Sequence, residues 1–222
     1  MVYLIENNSA ERTEQIRLLY ESAFPPDERM PFERVLQKRD SGVMRLLSAE
    51  DGDGTFVGFV NITLCLDVLA LNYFAILPDK QGRGYGTAVI RLLRERYPDR
   101  SIIIDIEDDA VASDNPEQRI RRRAFYERLG FSAMPFRLTI FGVPSIIMSS
   151  GRRYTFEEYT EIFAQVSRFG VLKDELAGGL QQGGALVARL GKHGVDLLAQ
   201  SALGKSNVDH LAPSFLRSHR VA

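Results

Sequence analysis

The residues with the most chemical content are Gln81-Gly82-Arg83-Gly84-Tyr85-Gly86, followed by Thr87. They come after an apolar run, Val68 to Leu77, and open a helical pattern that continues to Tyr97. Glycines remove side chains and let backbone N–H groups approach a ligand. The first turn of a helix adds N–H groups with no partner inside the helix, together with the positive end of its dipole. A strand that feeds such a loop is a trap for a phosphate or pyrophosphate. Two common phosphate sites do not fit. A nucleoside triphosphatase needs G-x-x-x-x-G-K-[S/T], and the chain holds no such string. A dinucleotide site needs G-x-G-x-x-G directly after its strand. Asp105 lies at a suitable distance downstream for that site, but the spacing here is G-x-G-x-G and Pro78-Asp79-Lys80-Gln81 intervene. The strands before the loop are also joined by a tight hairpin, so they are antiparallel and not a βαβ unit.

The elements that must position the loop follow from periodicity. Val2 to Ile5 reads as a strand. Asn8-Ser9 can cap a first helix whose Ile16, Leu19, Tyr20, Ala23 and Phe24 share one face. Phe24-Pro25-Pro26 ends it, and Pro31 suits the first turn of a short helix with Phe32, Val35 and Leu36. Val43 to Glu50 and Thr55 to Cys65 flank Asp51-Gly52-Asp53-Gly54, a hairpin signal. Val68 to Leu77 is the strand before the glycines. The helix after them buries Val89, Leu92 and Leu93 and stops at Pro98-Asp99. Ser101 to Glu107 is rich in β-formers and reads as an interior strand. Pro116 to Leu129 is a basic helix ended by Gly130. Phe136 to Phe141 and Ser145 to Ser150 flank Gly142-Val143-Pro144, a second hairpin.

Two motifs in this frame carry a resemblance. Ala75-Ile76-Leu77-Pro78 leads into Gln81-Gly82-Arg83-Gly84-Tyr85-Gly86, and Phe125-Tyr126-Glu127-Arg128-Leu129-Gly130-Phe131 follows downstream. Over about residues 1 to 150 the chain resembles the GNAT N-acetyltransferase family in both motifs and in element order. The resemblance implies an α/β (α+β) fold: a mixed, mostly antiparallel sheet with helices on both faces. It divides the chain into an acetyltransferase domain, residues 1–153, and a C-terminal extension, residues 154–222.

The resemblance also implies the chemistry. Acetyl-CoA is the expected co-substrate, with its pyrophosphate on the amides of Gly82, Gly84, Gly86 and Thr87 and with Gln81 and Arg83 flanking. Ile76 and Leu77 are expected at a bulge that parts the central strands for the pantetheine arm, with a backbone N–H near Ile76 holding the thioester oxygen. The acceptor is expected to be a primary amine of a small molecule or peptide. Such an amine has a pKa of about 10.4, so it arrives protonated and a carboxylate must take a proton. Glu107 and Asp105 share one strand face and are the candidate bases, although carboxylates at a strand end are often simply solvated. Tyr126 matches the family's general acid, or packs as an ordinary helix tyrosine. Asp27 and Glu28 are candidates for binding a cationic acceptor, and Asn72 and Tyr73 for lining its pocket. Arg119, Arg121, Arg122 and Arg123 could contact the CoA 3′-phosphate or form a solvated helix face. Relatives often carry an asparagine seven residues before the motif tyrosine; here Arg119 stands there, and Asn115, further upstream, is the nearest substitute.

The bulk properties bound the alternatives. The chain has 222 residues and a formal net charge of -1, which favours neither nucleic acid nor an anionic membrane as partner. A single cysteine, Cys65, excludes an internal disulfide framework. With no signal-peptide pattern and no long apolar stretch, a cytoplasmic location is expected. Thr155-Phe156-Glu157-Glu158 is a capping box that starts a helix carrying Phe156, Tyr159, Ile162, Phe163 and Val166. Beyond about Gly170 the chain is punctuated by Gly178-Gly179 and Gly183-Gly184. That tail could be a docking helix pair, a partner-binding extension or a loosely ordered end. His193, His210 and His219 match no metal-ligand spacing, and no metal is expected. A homodimer and other oligomeric states stay open. The rival function is a non-catalytic acyl-CoA-binding sensor or partner-docking module that keeps the loop without turnover.

Overall fold

The computed structural model of the chain describes residues 1–6, 8–26, 28–140, 143–162, 188–189 and 196–197. The elements run β1 (Val2–Ile5), α1 (Ala10–Ala23), α2 (Phe32–Asp40), β2 (Arg45–Asp51), β3 (Phe56–Cys65), β4 (Val68–Ile76), a 3-10 turn (Pro78–Lys80), α3 (Tyr85–Arg96), β5 (Ser101–Glu107), α4 (Pro116–Arg128), β6 (Ser132–Ile140) and β7 (Val143–Ser149). A further helix, α5, occupies 156–162. β8 (Ala188–Arg189) and β9 (Asp196–Leu197) form a separate two-stranded ladder. Up to β7 this is the element order expected from periodicity. The Gly142 turn, Phe163, Val166, the glycine pairs and all three histidines lie outside the described residues.

Local signals explain the boundaries. Ser9 caps α1, its hydroxyl accepting the Arg12 N–H at 3.1 Å. Asp51 turns the β2–β3 hairpin by accepting N–H groups of Asp53 and Thr55 on its carboxylate. Gly130 takes a left-handed φ of 79° just past α4. The capping box at α5 is reciprocal: the Thr155 N–H donates to Glu158 Oε2 at 2.8 Å, and the Glu158 N–H donates to Thr155 Oγ1 at 3.2 Å.

Seven strands form one sheet in the order β1-β2-β3-β4-β5-β7-β6. All pairs are antiparallel except β4 with β5. One face carries α3 and α4: Val89, Ile90, Leu93 and Tyr126 bury against Leu71, Ile102, Ile104 and Ile106. The other face has two clusters. Ile16, Leu19 and Tyr20 of α1 with Phe32 and Val35 of α2 pack on Phe59 and Tyr73. Tyr154, Tyr159 and Ile162 pack on Ile103, Ile147 and Phe136. Residues 154–162 are thus part of the core beneath β5. Among the described residues, no helix is long and apolar enough to cross a membrane.

The sheet opens at its centre. β4 and β5 are paired only from Val68 with Ser101 to Ala70 with Ile103, and beyond that the strands separate. The β3–β4 register slips at the same level: Tyr73 pairs with Asn61 but Leu71 with Ile62, so Asn72 is the extra residue of a bulge. The bulge expected at Ile76 and Leu77 therefore lies upstream at Asn72. The reason is polar. Asn72 donates its amide to Asn61 Oδ1 at 3.0 Å and Thr63 Oγ1 at 2.9 Å, so the extra residue anchors to β3. Downstream, β4 stays married to β3 and cannot follow β5.

Candidate active site

The glycine loop sits at the mouth of this opening. Gly82 and Gly84 have left-handed φ of 73° and 83°, which a residue with a Cβ adopts only under strain. A Cβ at either would meet nothing within 4 Å, so here glycine serves backbone conformation and open access. Gly84 caps α3 without any side-chain hydrogen bond, and the Ala88 N–H is the first to reach back to it, at 3.0 Å. The N–H groups of Tyr85, Gly86 and Thr87 thus have no i−4 partner in the helix. Gly86 has a different job. A Cβ there would lie 3.3 Å from Phe125 Cζ and 3.7 Å from Phe74 Cζ, so the glycine lets α3 pack closely on α4 and the sheet. Gln81 is exposed, and its amide donates back to the Ile76 carbonyl at 3.0 Å. Arg83 is exposed beside the loop.

Strand alternation settles which backbone groups face the gap. The Leu77 N–H donates to the Val57 carbonyl at 2.9 Å, so it is used by β3. The N–H and C=O of Ile76 then point to the opposite side, towards β5, where the ladder has ended. Gln81 takes that carbonyl; among the described residues nothing takes the N–H. This arrangement offers a donor in the gap next to a cluster of open amides.

The charge of one carboxylate reaches three tyrosines from three elements. Asp105 on β5 is open to water, yet enough protein surrounds it that burial pushes its pKa up to about 6, against a smaller lowering by Arg122. That combination describes the floor of a cleft. Its charge in turn helps raise Tyr73 of β4, Tyr126 of α4 and Tyr159 of α5, for each of which burial is the larger cause. Tyr126 is 8% exposed, packed edge-on between Phe125 and Phe131 at 5.0 and 5.3 Å, and its hydroxyl makes no hydrogen bond among the described residues. A buried phenol held protonated and left unbonded can give a proton to a ligand.

Glu107, the other candidate base, is differently placed. Arg122 donates to its Oε2, and Arg119 lies 3.5 Å from its Oε1. Two guanidiniums stabilise the carboxylate and occupy its lone pairs. The basic run on α4 also pairs within the chain: Arg121 with Glu117 at 3.4 Å on the exposed helix face, and Arg123 with Asp109 at 2.8 Å and Glu127 at 2.9 Å. Asn115 caps α4, accepting the Arg119 Nε–H at 3.0 Å. Arg119, standing where relatives carry asparagine, therefore works as a clasp between α4's start and Glu107.

On the opposite face the acceptor-side candidates separate. Asp27 lies outside the described residues. The Glu28 backbone closes a turn onto the Pro25 carbonyl at 3.0 Å. Tyr73 is 9% exposed; its hydroxyl accepts the Met30 N–H at 3.1 Å, while the Tyr20 hydroxyl donates to the Met30 carbonyl at 2.8 Å. The two rings meet edge to face at 4.8 Å. Tyr73 is thus a strut for the loop before α2. Asn72 is committed to the bulge. A surface hollow of about 450 Å³ between α1 and α2, lined by Glu14, Arg17, Phe32 and Glu33, contains none of these residues. Periodicity missed Arg29 altogether: its Cζ lies 5.8 Å from the centre of the Tyr20 ring, and its Nε is buried with no partner among the described residues.

Residues 13–131 match the Acetyltransferase (GNAT) family. No curated protein matches the chain. Among solved structures, a GNAT-family protein from Bacteroides thetaiotaomicron aligns with 78% of this chain and 99% of its own, at 21% identity and a TM-score of 0.62. An aminoglycoside 6'-N-acetyltransferase complexed with coenzyme A aligns with 70% of this chain and 99% of its own, at 16% identity and a TM-score of 0.54. The spermidine N-acetyltransferase from Vibrio cholerae, in complex with CoA and spermine, aligns with 72% and 98%, at 13% identity and a TM-score of 0.52. At these identities the likeness is one of fold.

Proposed function

The chain belongs to the GNAT acetyltransferase family, and from that premise we propose that it transfers the acetyl group of acetyl-CoA directly to a primary amine of a small molecule or peptide. The observation that carries the reading is the coincidence of open amides at 82–87 with the parting of β4 and β5. The amides fit a diphosphate, and the gap leads from them to Tyr126 and Asp105. Bound acetyl-CoA supplies an activated acyl carbon as its thioester.

The chain's residues do the rest. Asp105 takes a proton from the incoming ammonium, directly or through one water, and its pKa of about 6 leaves it ionised yet basic near neutral pH. The amine nitrogen bonds to the acyl carbon. The Ile76 N–H donates to the thioester oxygen as charge grows there. The carbon–sulfur bond breaks, Tyr126 gives its proton to the leaving thiolate, and the acylated nitrogen passes its surplus proton through water to the phenolate, which leaves a neutral amide and restores Tyr126. Glu107, tied to Arg119 and Arg122, positions α4 and thereby Tyr126. Holding amine and thioester in line contributes further.

The test is thiol release from acetyl-CoA with a panel of amines, with calorimetry of CoA binding beside it. Amine-dependent release that collapses in Tyr126→Phe supports catalysis. CoA binding with no release for any amine would instead favour the acyl-CoA-binding sensor.

A further inference from the structure

The β4 bulge uses only the donor half of the Asn72 amide. Both N–H bonds of its Nδ2 go to β3, one to Asn61 Oδ1 at 3.0 Å and one to Thr63 Oγ1 at 2.9 Å. That orientation is enforced from further off. Asn61 is fully buried and donates its own Nδ2 to the Arg45 carbonyl at 3.3 Å. A flipped Asn61 would set its oxygen against that carbonyl, two acceptors face to face. Asn61 must therefore present oxygen to Asn72, and Asn72 must answer with nitrogen. A backbone carbonyl on β2 thus fixes the polarity of a side chain two strands away.

The acceptor half is left over. Asn72 is half-buried, and its Oδ1 makes no hydrogen bond among the described residues. An amide is planar, so with Nδ2 turned to β3 the oxygen is turned away from it, to the side where β5 runs. That side is the opening. Ala70 with Ile103 is the last rung of the β4–β5 ladder, and two residues beyond it on each strand stand Asn72 and Asp105. Both are therefore about 7 Å past that rung. They also share a face of the sheet. Leu71 and Ile62 pack on the α3 side, so Asn72 and its partners Asn61 and Thr63 face the other way; Asp105 does too, because it alternates with Ile104 and Ile106 of the α3 side. The first level of the opening thus has a neutral acceptor on one strand and, on the other, a carboxylate that water reaches.

We propose that Asn72 Oδ1 receives one N–H of the acceptor amine and so makes the site selective for primary over secondary amines. This rests on the acetyl-transfer reading above and deepens it by naming the residue that counts N–H groups. An ammonium that has given one proton to Asp105 keeps two N–H groups if primary and one if secondary. With an acceptor on each strand, a primary amine is held at both, and its lone pair is left free for the thioester carbon. A secondary amine must leave one acceptor empty. The oxygen cannot turn away without breaking the bonds of Asn72 to β3, so it is in place before the amine arrives.

The experiment measures thiol release from acetyl-CoA with matched probes: butylamine, benzylamine, tyramine and glycinamide, each beside its N-methyl derivative. The wild-type protein should prefer the primary member by about tenfold or more in kcat/KM. Asn72→Ala should shrink that ratio by about 3- to 10-fold, the worth of one neutral hydrogen bond, through loss on the primary amines. Asn72→Ser, whose hydroxyl can donate to Asn61 and still accept, should restore part of it. A wild-type ratio near one overturns the proposal while acetyl transfer stands. A ratio unmoved in Asn72→Ala does the same, and so does one that shrinks only because the N-methyl amines gain, since Asn72 would then merely crowd the methyl. The side-chain amide of Asn72 in the isotope-labelled wild-type chain gives a reading that no misfolded variant can spoil. Its two protons should exchange slowly with water, and their resonances should move when the primary amines are added to the CoA-loaded protein. If no probe is acetylated, that reading decides: fast exchange, or no movement with any primary amine, overturns the proposal. Absence of CoA binding would instead sink the underlying reading.

Discussion

Replacing Asp105 by asparagine separates chemistry from stability. The wild-type carboxyl has its pKa pushed up to about 6 by burial, against about 3.9 in an unfolded chain. The fold therefore disfavours the charged form. Above pH 6 both states are ionised and the folded state bears the whole penalty; as pH falls from about 6 towards 4 the penalty disappears. A shift of roughly 2 units at 1.36 kcal/mol each gives an upper bound of about 3 kcal/mol. Water reaches this side chain, so screening reduces the figure to about 1 kcal/mol. Asp105→Asn keeps the shape and removes the charge. At pH 8 it should melt roughly 2–4 °C higher than wild type, and the difference should vanish near pH 4. Its kcat/KM should fall by about 10²- to 10⁴-fold, and the acid limb of the wild-type pH profile near 6 should disappear. Scanning calorimetry across pH and thiol-release kinetics read the two effects. A variant that keeps its activity and its acid limb would refute the assignment of the base. One that is less stable at pH 8 would refute the claim that the cleft disfavours a charge.

A Cβ at Gly84 meets no atom within 4 Å, but Gly84→Val must hold a φ of 83°, so it should strain the loop by about 1–2 kcal/mol and weaken CoA binding at least tenfold in calorimetry. Gly86→Ala places a methyl 3.3 Å from Phe125, and should cost about 1–3 kcal/mol in urea denaturation, partly recovered by adding Phe125→Leu. Tyr126→Phe removes a hydroxyl that makes no hydrogen bond among the described residues, so its melting temperature should hold while kcat drops by about 10²-fold or more. Glu107→Gln leaves Arg119 and Arg122 without their carboxylate; unfolding stability should fall by about 1–3 kcal/mol with kcat/KM changed less than about tenfold. A loss in kcat/KM as large as that of Asp105→Asn would move the base to Glu107.

The parts of the site that were legible in the sequence are those set by local chain chemistry. Glycines at 82 and 84 are demanded by backbone torsion, and the capping box at Thr155 by helix ends, so both read directly. Alternation correctly put Asp105 and Glu107 on one side of β5. It could not tell the free carboxylate from the clamped one, because the clamp is Arg119 and Arg122 arriving from a helix whose packing no periodicity describes. The bulge was misplaced for a similar reason: Asn72 is recognisable only through its partners Asn61 and Thr63 on the neighbouring strand. Arg29 left no trace at all, because its place over the Tyr20 ring depends on how the loop before α2 folds back on α1.

Asn72 has one more implication, for how this chain tolerates length changes. Side chains on a strand alternate with a period of two, and the single supernumerary residue resets that phase partway along β4. Leu71 and Phe74 consequently share the α3 side, while Tyr73 looks to α1. Excising this one asparagine would return the strand to plain alternation with every face kept, Tyr73 still towards α1 and Phe74 towards α3, whereas one residue added between Tyr73 and Leu77 would swap left for right in everything after it. A shortening at Asn72 would thus spare both faces of β4 and remove the kink and the amide bonds to Asn61 and Thr63.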